Sequence, residues 1–291
     1  MSAIDLTAWV DEELRPDRKS FRQAVQLVLR AIAQSPNLSA IMIMKGGLLL
    51  AVRYHSSRFT RDIDFSTSKR LQEVDVPMLL SSIGDALASV SADNEHALAL
   101  RLQSHEIKPP NKPGVNFPTL QMRIGYASRL EPRSLKRLES MGSTQVVQVD
   151  YSFNEWASGT EQQEVDGGHL LMYPFHDLVA EKLRSVLQQP LRGQGRPRYQ
   201  DIYDLFLLLE TAVNDDEKAI ILAKLFEASR DRQVPLHKEA LRDEQVIQLS
   251  RDGYASVLPD LVLGPLPDFD VAYTTVRDFF ESLPWEGWQA A

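Results

Sequence analysis

The chain places Lys45-Gly46-Gly47 directly after an apolar run, Ile41-Met42-Ile43-Met44, and brings in Asp62-Ile63-Asp64-Phe65 after the next helix-like stretch. The apolar run reads as a buried strand and the glycines as the turn into a helix, since glycine lets backbone approach a neighbour or a ligand closely. In a strand, side chains alternate between faces, so Asp62 and Asp64 point one way while Ile63 and Phe65 enter the core. Two carboxylates on one face repel each other unless a cation sits between them. Oxygen-only ligands suit Mg²⁺, or Mn²⁺, and Mg²⁺ keeps several waters and shares substrate phosphates. A helix starting at the glycine pair aims its first N–H groups at phosphate. Together these features describe a site for a nucleoside triphosphate (NTP) and its metal.

The surrounding pattern fits an α/β, or α+β, fold. Apolar spacing predicts helices over 20–33, with Ser20 as N-cap, over 47–55, and over 76–90 with Pro77 tolerated at its start. Alternating or continuous apolar runs predict strands over 40–44, 61–66, 97–107, 117–127 and 145–153. From Tyr173 the chain reads as mainly helical, over 175–188, 199–212, 215–229 and 269–282. The expected division is a catalytic domain over 1–170, a mixed sheet with helices, followed by a helical domain over 171–291 that contributes active-site residues.

Composition excludes several classes. Cysteine is absent and the six histidines are scattered, so neither disulfides nor a thiolate or paired-histidine zinc site is expected. No apolar run approaches the roughly 20 residues of a membrane span. The N-terminus lacks a basic segment followed by an apolar one, so a cytoplasmic protein is expected. The net charge of −8 argues against a general nucleic-acid binder. Local basic segments remain, at Arg129–Arg137 and at Arg184, Arg192, Arg196 and Arg198.

Several further residues carry chemistry or a plain structural alternative. Asp150, at the end of the alternating run Val146–Asp150, can complete the metal site, accept a proton from an attacking hydroxyl, or cap a turn. Lys182 shares a helix face with Phe175, Val179 and Val186. A lysine in an apolar stripe either snorkels to water or meets a negative partner, which can be a triphosphate or an Asp. Asp201 and Asp204 open a very apolar helix, where the helix dipole alone favours acids. Arg58 and Lys45 flank the glycine–aspartate unit as candidate phosphate contacts. Ser66 shares the strand face of the acids and is a candidate site of regulatory modification, because a phosphate there would repel the carboxylates and block the metals.

The ordered set Lys45–Leu49, Arg58–Phe65, Val146–Asp150, Ala180–Leu183 and Asp201–Leu205 resembles the nucleotidyltransferase superfamily, and within it the AbiEii-type toxins of bacterial toxin–antitoxin and abortive-infection systems. The resemblance spans roughly residues 40 to 210. One departure is that Tyr199-Gln200 separate Arg198 from Asp201, where the family commonly has a basic residue directly before that Asp. The resemblance implies a metal-dependent nucleotidyltransferase with Asp62, Asp64, Asp150, Lys182 and Asp201 as catalytic candidates. It implies Lys45, Gly46, Gly47, Arg58 and Lys182 as NTP contacts, and Mg²⁺ on Asp62, Asp64 and Asp150. It also implies a cognate antitoxin and, as in some relatives, a tRNA 3′ end as acceptor, which Arg192, Arg196 and Arg198 could guide. Two other readings stay open: a small-molecule nucleotidyltransferase, and a nucleotide-binding module without turnover.

Overall fold

The computed structural model describes residues 3–110, 115–155, 159–192 and 197–286. The chain divides into two compact units, Met1–Arg53 with Thr60–Tyr173, and Tyr54–Phe59 with Pro174–Ala291.

The first unit contains, in chain order, α1 (Leu6–Asp11), α2 (Pro16–Gln34), α3 (Pro36–Ser39), β1 (Ile43–Lys45), α4 (Gly46–Arg53), β2 (Asp62–Ser66), α5 (Val76–Ala92), β3 (Leu98–Lys108), β4 (Thr119–Ser128), α6 (Pro132–Glu139), β5 (Val146–Ser152), β6 (Glu161–Val165) and β7 (Gly168–Met172). The strands form one mixed seven-stranded sheet in the order β3-β4-β5-β2-β1-β7-β6. Strand β2 runs parallel to β5 and antiparallel to β1, which runs parallel to β7.

Strict alternation in β2, β4 and β5 separates the two faces of this sheet. Met44, Ile63, Phe65, Leu120, Met122, Val147 and Val149 are all buried. They face α2 and α5, whose Val28, Ile32, Ile83 and Leu87 meet Met42, Met122 and Val149. The opposite face carries Lys45, Asp62, Asp64, Gln121, Arg123, Gln148 and Asp150. The core therefore lies on one side, and the polar chemistry on the other is a consequence of the period of two.

Some element boundaries differ from the sequence pattern. Helix α2 begins at Pro16 after Arg15, so Ser20 lies inside it rather than capping it. Proline at the first helical position, pre-set in φ, starts the helix a turn earlier than the apolar spacing does. Strands β6 and β7 are absent from the sequence reading; β6 is a polar edge strand, Glu161-Gln162-Gln163-Glu164-Val165, with no apolar alternation to mark it. Helix α6 is absent for a similar reason, since Leu138 is its one fully buried residue.

The second unit holds α7 (Phe175–Leu187), α8 (Tyr199–Leu208), α9 (Asp215–Asp231), α10 (Glu244–Arg251), α11 (Tyr254–Leu261) and α12 (Phe269–Glu281). Asn214 and Glu217 form a capping box at the start of α9, which fixes that helix origin. The short segment Tyr54–Phe59 belongs here, stitched by Phe59 N–H to Leu261 O at 2.7 Å and Leu263 N–H to Ser57 O at 3.3 Å.

Candidate active site

Within the first unit, strand register sets the site. Lys45 on β1, Asp64 on β2, Asp150 on β5 and Gln121 on β4 are successive partners in one row. The neighbouring row is Asp62, Gln148 and Arg123. Paired residues on adjacent strands share a face and lie about 4.8 Å apart along the row. Asp150 therefore sits in the middle of β5 beside Asp64, and capping a turn is not its role.

Gly46 shapes the same spot. It takes φ +75°, and a Cβ built on it would lie 2.1 Å from Asp64 Oδ2. Only glycine fits both the left-handed backbone and the carboxylate packed against it. Helix α4 starts at this residue and Gly47 forms its second position. Its opening N–H groups carry the partial positive charge of a helix start, which suits an anion.

The Asp150 carboxylate is held by two amides. Gln121 donates to Oδ1 at 3.0 Å, and Gln148 donates at 3.3 Å to each oxygen. Neutral donors orient the group without cancelling its charge. Desolvation, and after it the charge of Asp150, push the Asp62 carboxyl above its usual range, while Arg61 pulls it down. Asp62 is exposed at the start of β2. Water there softens both causes and leaves the direction of the shift.

Among the described residues, no three His, Cys, Asp or Glu side chains form a ready-made metal cluster. Mg²⁺ does not require one, because one or two carboxylates with waters and substrate phosphates suffice. Carboxylates set side by side on neighbouring strands offer the oxygen ligands that such an ion takes. Lys45, expected at phosphate, is buried, pairs with Glu155, and lies with its ammonium 5.9 Å from the Tyr173 ring centroid. Ser66 is fully buried and donates to the Tyr173 hydroxyl at 3.0 Å. That corrects its expected role as a modification site, because no modifying enzyme reaches an oxygen enclosed on every side.

The second unit gathers four charges. Arg58 grips Asp204 with two bonds of 2.8 Å, from Nε and Nη2. Lys182 Nζ donates to Asp201 at 3.0 Å and to Asp204 at 2.6 Å. Burial opposes every charge here. The two carboxylates outweigh it for Lys182 and hold its ammonium above the usual value. Arg58 and Lys182 outweigh it for Asp204 and hold that carboxyl below its usual range. Lys182 and Arg58, expected at phosphate, thus spend their charge on carboxylates of their own unit, the pairing weighed for Lys182 beside the triphosphate. Asp201 differs from Asp204: its Oδ2 is buried without a hydrogen bond, with Arg198 Nη1 at 3.7 Å. Arg196 lies outside the described residues, as does the side chain of Arg192.

Three polar residues of the first unit were missed in the sequence: Gln121, Gln148 and Glu155. The two glutamines interrupt apolar alternation, in Leu120-Gln121-Met122 and Val147-Gln148-Val149, and that pattern was the available signal. Nothing local to Glu155 points to Lys45.

A family model described as nucleotidyl transferase AbiEii toxin, type IV toxin–antitoxin system, matches residues 27–275. Among solved structures, JHP933 from Helicobacter pylori is similar, with TM-score 0.51 and 16% identity over 93% of each chain. A protein described as a candidate nucleotidyltransferase from H. pylori is similar too, with TM-score 0.51 and 16% identity over 93% of this chain and 96% of that one. At this identity the two structures speak to the fold. Among curated proteins, none matches by sequence.

Proposed function

The chain belongs to the AbiEii nucleotidyl transferase toxin family, and on that premise we propose that it transfers a nucleotidyl group from an NTP to the terminal hydroxyl of an RNA acceptor such as the tRNA 3′ end. The family makes it a nucleotidyltransferase and the toxin of a toxin–antitoxin pair. The finer reading, that it blocks translation in the cytoplasm by modifying RNA, is the proposal. No helix among the described residues is long and apolar enough to cross a membrane.

The observation that carries the reading is the row that sets Asp64 beside Asp150, with Gly46 closed against the Asp64 carboxylate. Asp62, Asp64 and Asp150 would hold Mg²⁺, or Mn²⁺ in its place. When bound, such an ion neutralises charge on the phosphates and on the leaving pyrophosphate. The start of α4 binds a phosphate through backbone N–H groups. Lys45 adds a cation once a phosphate competes with Glu155 for it. The acceptor oxygen attacks the α-phosphorus, the bond from that phosphorus to the bridging oxygen breaks, and pyrophosphate leaves with its electrons. The hydroxyl proton passes to a carboxylate, for which Asp150 is proposed in the first unit and Asp201 is the candidate in the second. Catalysis on this reading is positioning and charge compensation.

The test is transfer from α-labelled NTPs to total tRNA with Mg²⁺, comparing the native protein with Asp64→Asn. Label on tRNA with the native protein alone is the expected result. Equal label from the variant would overturn the carboxylate assignment. NTP consumption without any labelled RNA would move the reading to a small-molecule acceptor.

A further inference from the structure

We propose that a single-stranded polynucleotide reaches the reaction centre across β5, β4 and β3 and over α6, on the sheet face that carries Asp62, Asp64 and Asp150. The inference rests on the nucleotidyl-transfer reading of that face and adds the surface that holds the acceptor's phosphates.

The supporting feature is a strip of uncompensated cations. Arg123 follows Asp62 and Gln148 in one row of the sheet. Arg101 is in register with Gly125, two residues further along β4 and on the same face. Helix α6 lies over that point, since a Cβ on Gly125 would meet Leu138 Cδ1 at 2.9 Å. With Leu138 turned inward, Arg133, Lys136 and Arg137 stand at i, i+3 and i+4 on the exposed side of α6.

None of these five cations has an acidic side chain against it among the described residues. Arg101 reaches only a backbone carbonyl, Glu139 O at 2.9 Å, and nearby Arg129 likewise reaches Ala92 O at 3.0 Å. A guanidinium bonded to a neutral carbonyl keeps its whole charge. Other arginines of the chain stand directly against acids: Arg30 with Glu95 and Asp166, Arg242 with Glu281, Arg251 with Asp270.

The local balance is also reversed. Residues 119–139 hold five cations and two acids, in a chain of net charge −8. The two acids, Glu131 and Glu139, stand at the ends of α6, and Glu131 accepts from Ser134 Oγ at 2.9 Å. Like charges held side by side without partners repel, and a chain of phosphates removes that cost with release of counterions.

Geometry favours a strand of nucleotides over a small acceptor. Arg123 lies two strand spacings from Asp62, about 10 Å along the row. Arg101 and the α6 cations continue outward from there. A mononucleotide or metabolite puts its charge in one place, whereas a polynucleotide repeats it along the whole strip and delivers one terminal hydroxyl to the carboxylates.

The experiment measures binding of a fluorescein-labelled single-stranded RNA with a free 3′ hydroxyl as KCl is varied. It compares the full chain with Arg133→Gln/Lys136→Gln/Arg137→Gln, with Arg123→Gln, and with Lys238→Gln, a cation of the second unit, as control. The triple variant is expected to bind about tenfold more weakly near physiological salt, with a log–log salt slope shallower by about 2, at roughly 0.7 per phosphate contact. Transfer to the same RNA should show a raised KM with kcat held, and Lys238→Gln should match the native protein. Arg123→Gln, at an exposed strand position, gives the answer if the triple variant does not fold. Native affinity and slope in both variants would overturn the inference while leaving transfer to RNA intact. Equally tight binding of polyglutamate would overturn it as well, since the strip would then read charge alone. Absence of transfer to RNA by the native protein is a separate result, and it removes the parent reading instead.

Discussion

Gly46 ties backbone to chemistry more tightly than any other residue of the site. Its φ of +75°, and the 2.1 Å that would separate an added Cβ from Asp64 Oδ2, leave no room for a methyl group. Gly46→Ala must either move the carboxylate or distort the start of α4. The expected outcome is a folded protein whose transfer rate falls about a hundredfold, the cost of misplacing a reacting group by about an ångström. A circular-dichroism melt beside a labelled-NTP assay reads both consequences, and native activity in the variant would remove Gly46 from the site. The glycine pair was legible in the sequence as a close approach. Its neighbour was not, because Asp64 comes from another strand and meets Gly46 only through the antiparallel pairing of β1 and β2.

At the scale of elements, α8 places two aspartates one turn apart with different partners. Asp204 is fully buried between Arg58 and Lys182, while Asp201 has one oxygen on Lys182 and the other buried without a hydrogen bond. Removing one member of a buried ion pair leaves an uncompensated charge, so Asp204→Asn is expected to destabilise by about 3–5 kcal/mol. Asp201→Asn should cost much less stability and lower transfer more. Urea unfolding and the transfer assay on both variants check the pair, and a reversed order of the two stabilities would overturn this division of labour. The sequence showed that Lys182 sat in an apolar stripe and needed an anion. It left a phosphate and an Asp open, because pairing with residues 19 and 22 positions away depends on how α7 packs against α8.

For the whole molecule, the buried charges set opposite responses to pH. Asp204 is depressed in the folded state, so its contribution is present above the ordinary carboxylate range, near 4, and is lost as pH falls through the folded value. Lys182 is raised, so its contribution is complete below the ordinary lysine value, near 10.4, and is lost as pH rises through the folded value. Asp62 is raised, an acid disfavoured in its charged form, and its contribution is lost as pH rises through its folded value. Unfolding free energy is therefore expected to fall at both extremes, and Asp204→Asn should flatten the acid limb. Addition of Mg²⁺ near neutral pH should raise the melting temperature of the native protein but not that of Asp62→Asn with Asp64→Asn. Denaturant titrations from pH 3 to pH 11 with melts in Mg²⁺ check these signs, and an acid limb unchanged in Asp204→Asn would refute the first.

The order of motifs along the chain, and the alternation in β2 and β5, already fixed an α/β fold with carboxylates on one sheet face. Those properties are local: a period of two assigns each side chain to a face, and a glycine pair marks a close approach, whatever else the chain does. Tertiary structure alone decided the rest. It chose which carboxylates become neighbours, through the register of Asp64 on Asp150, and which cations are spent on internal partners. It enclosed Ser66 and left the α6 cations open. Register, burial and pairing depend on residues far apart in sequence, and a single chain read from end to end carries no mark of which of them will meet.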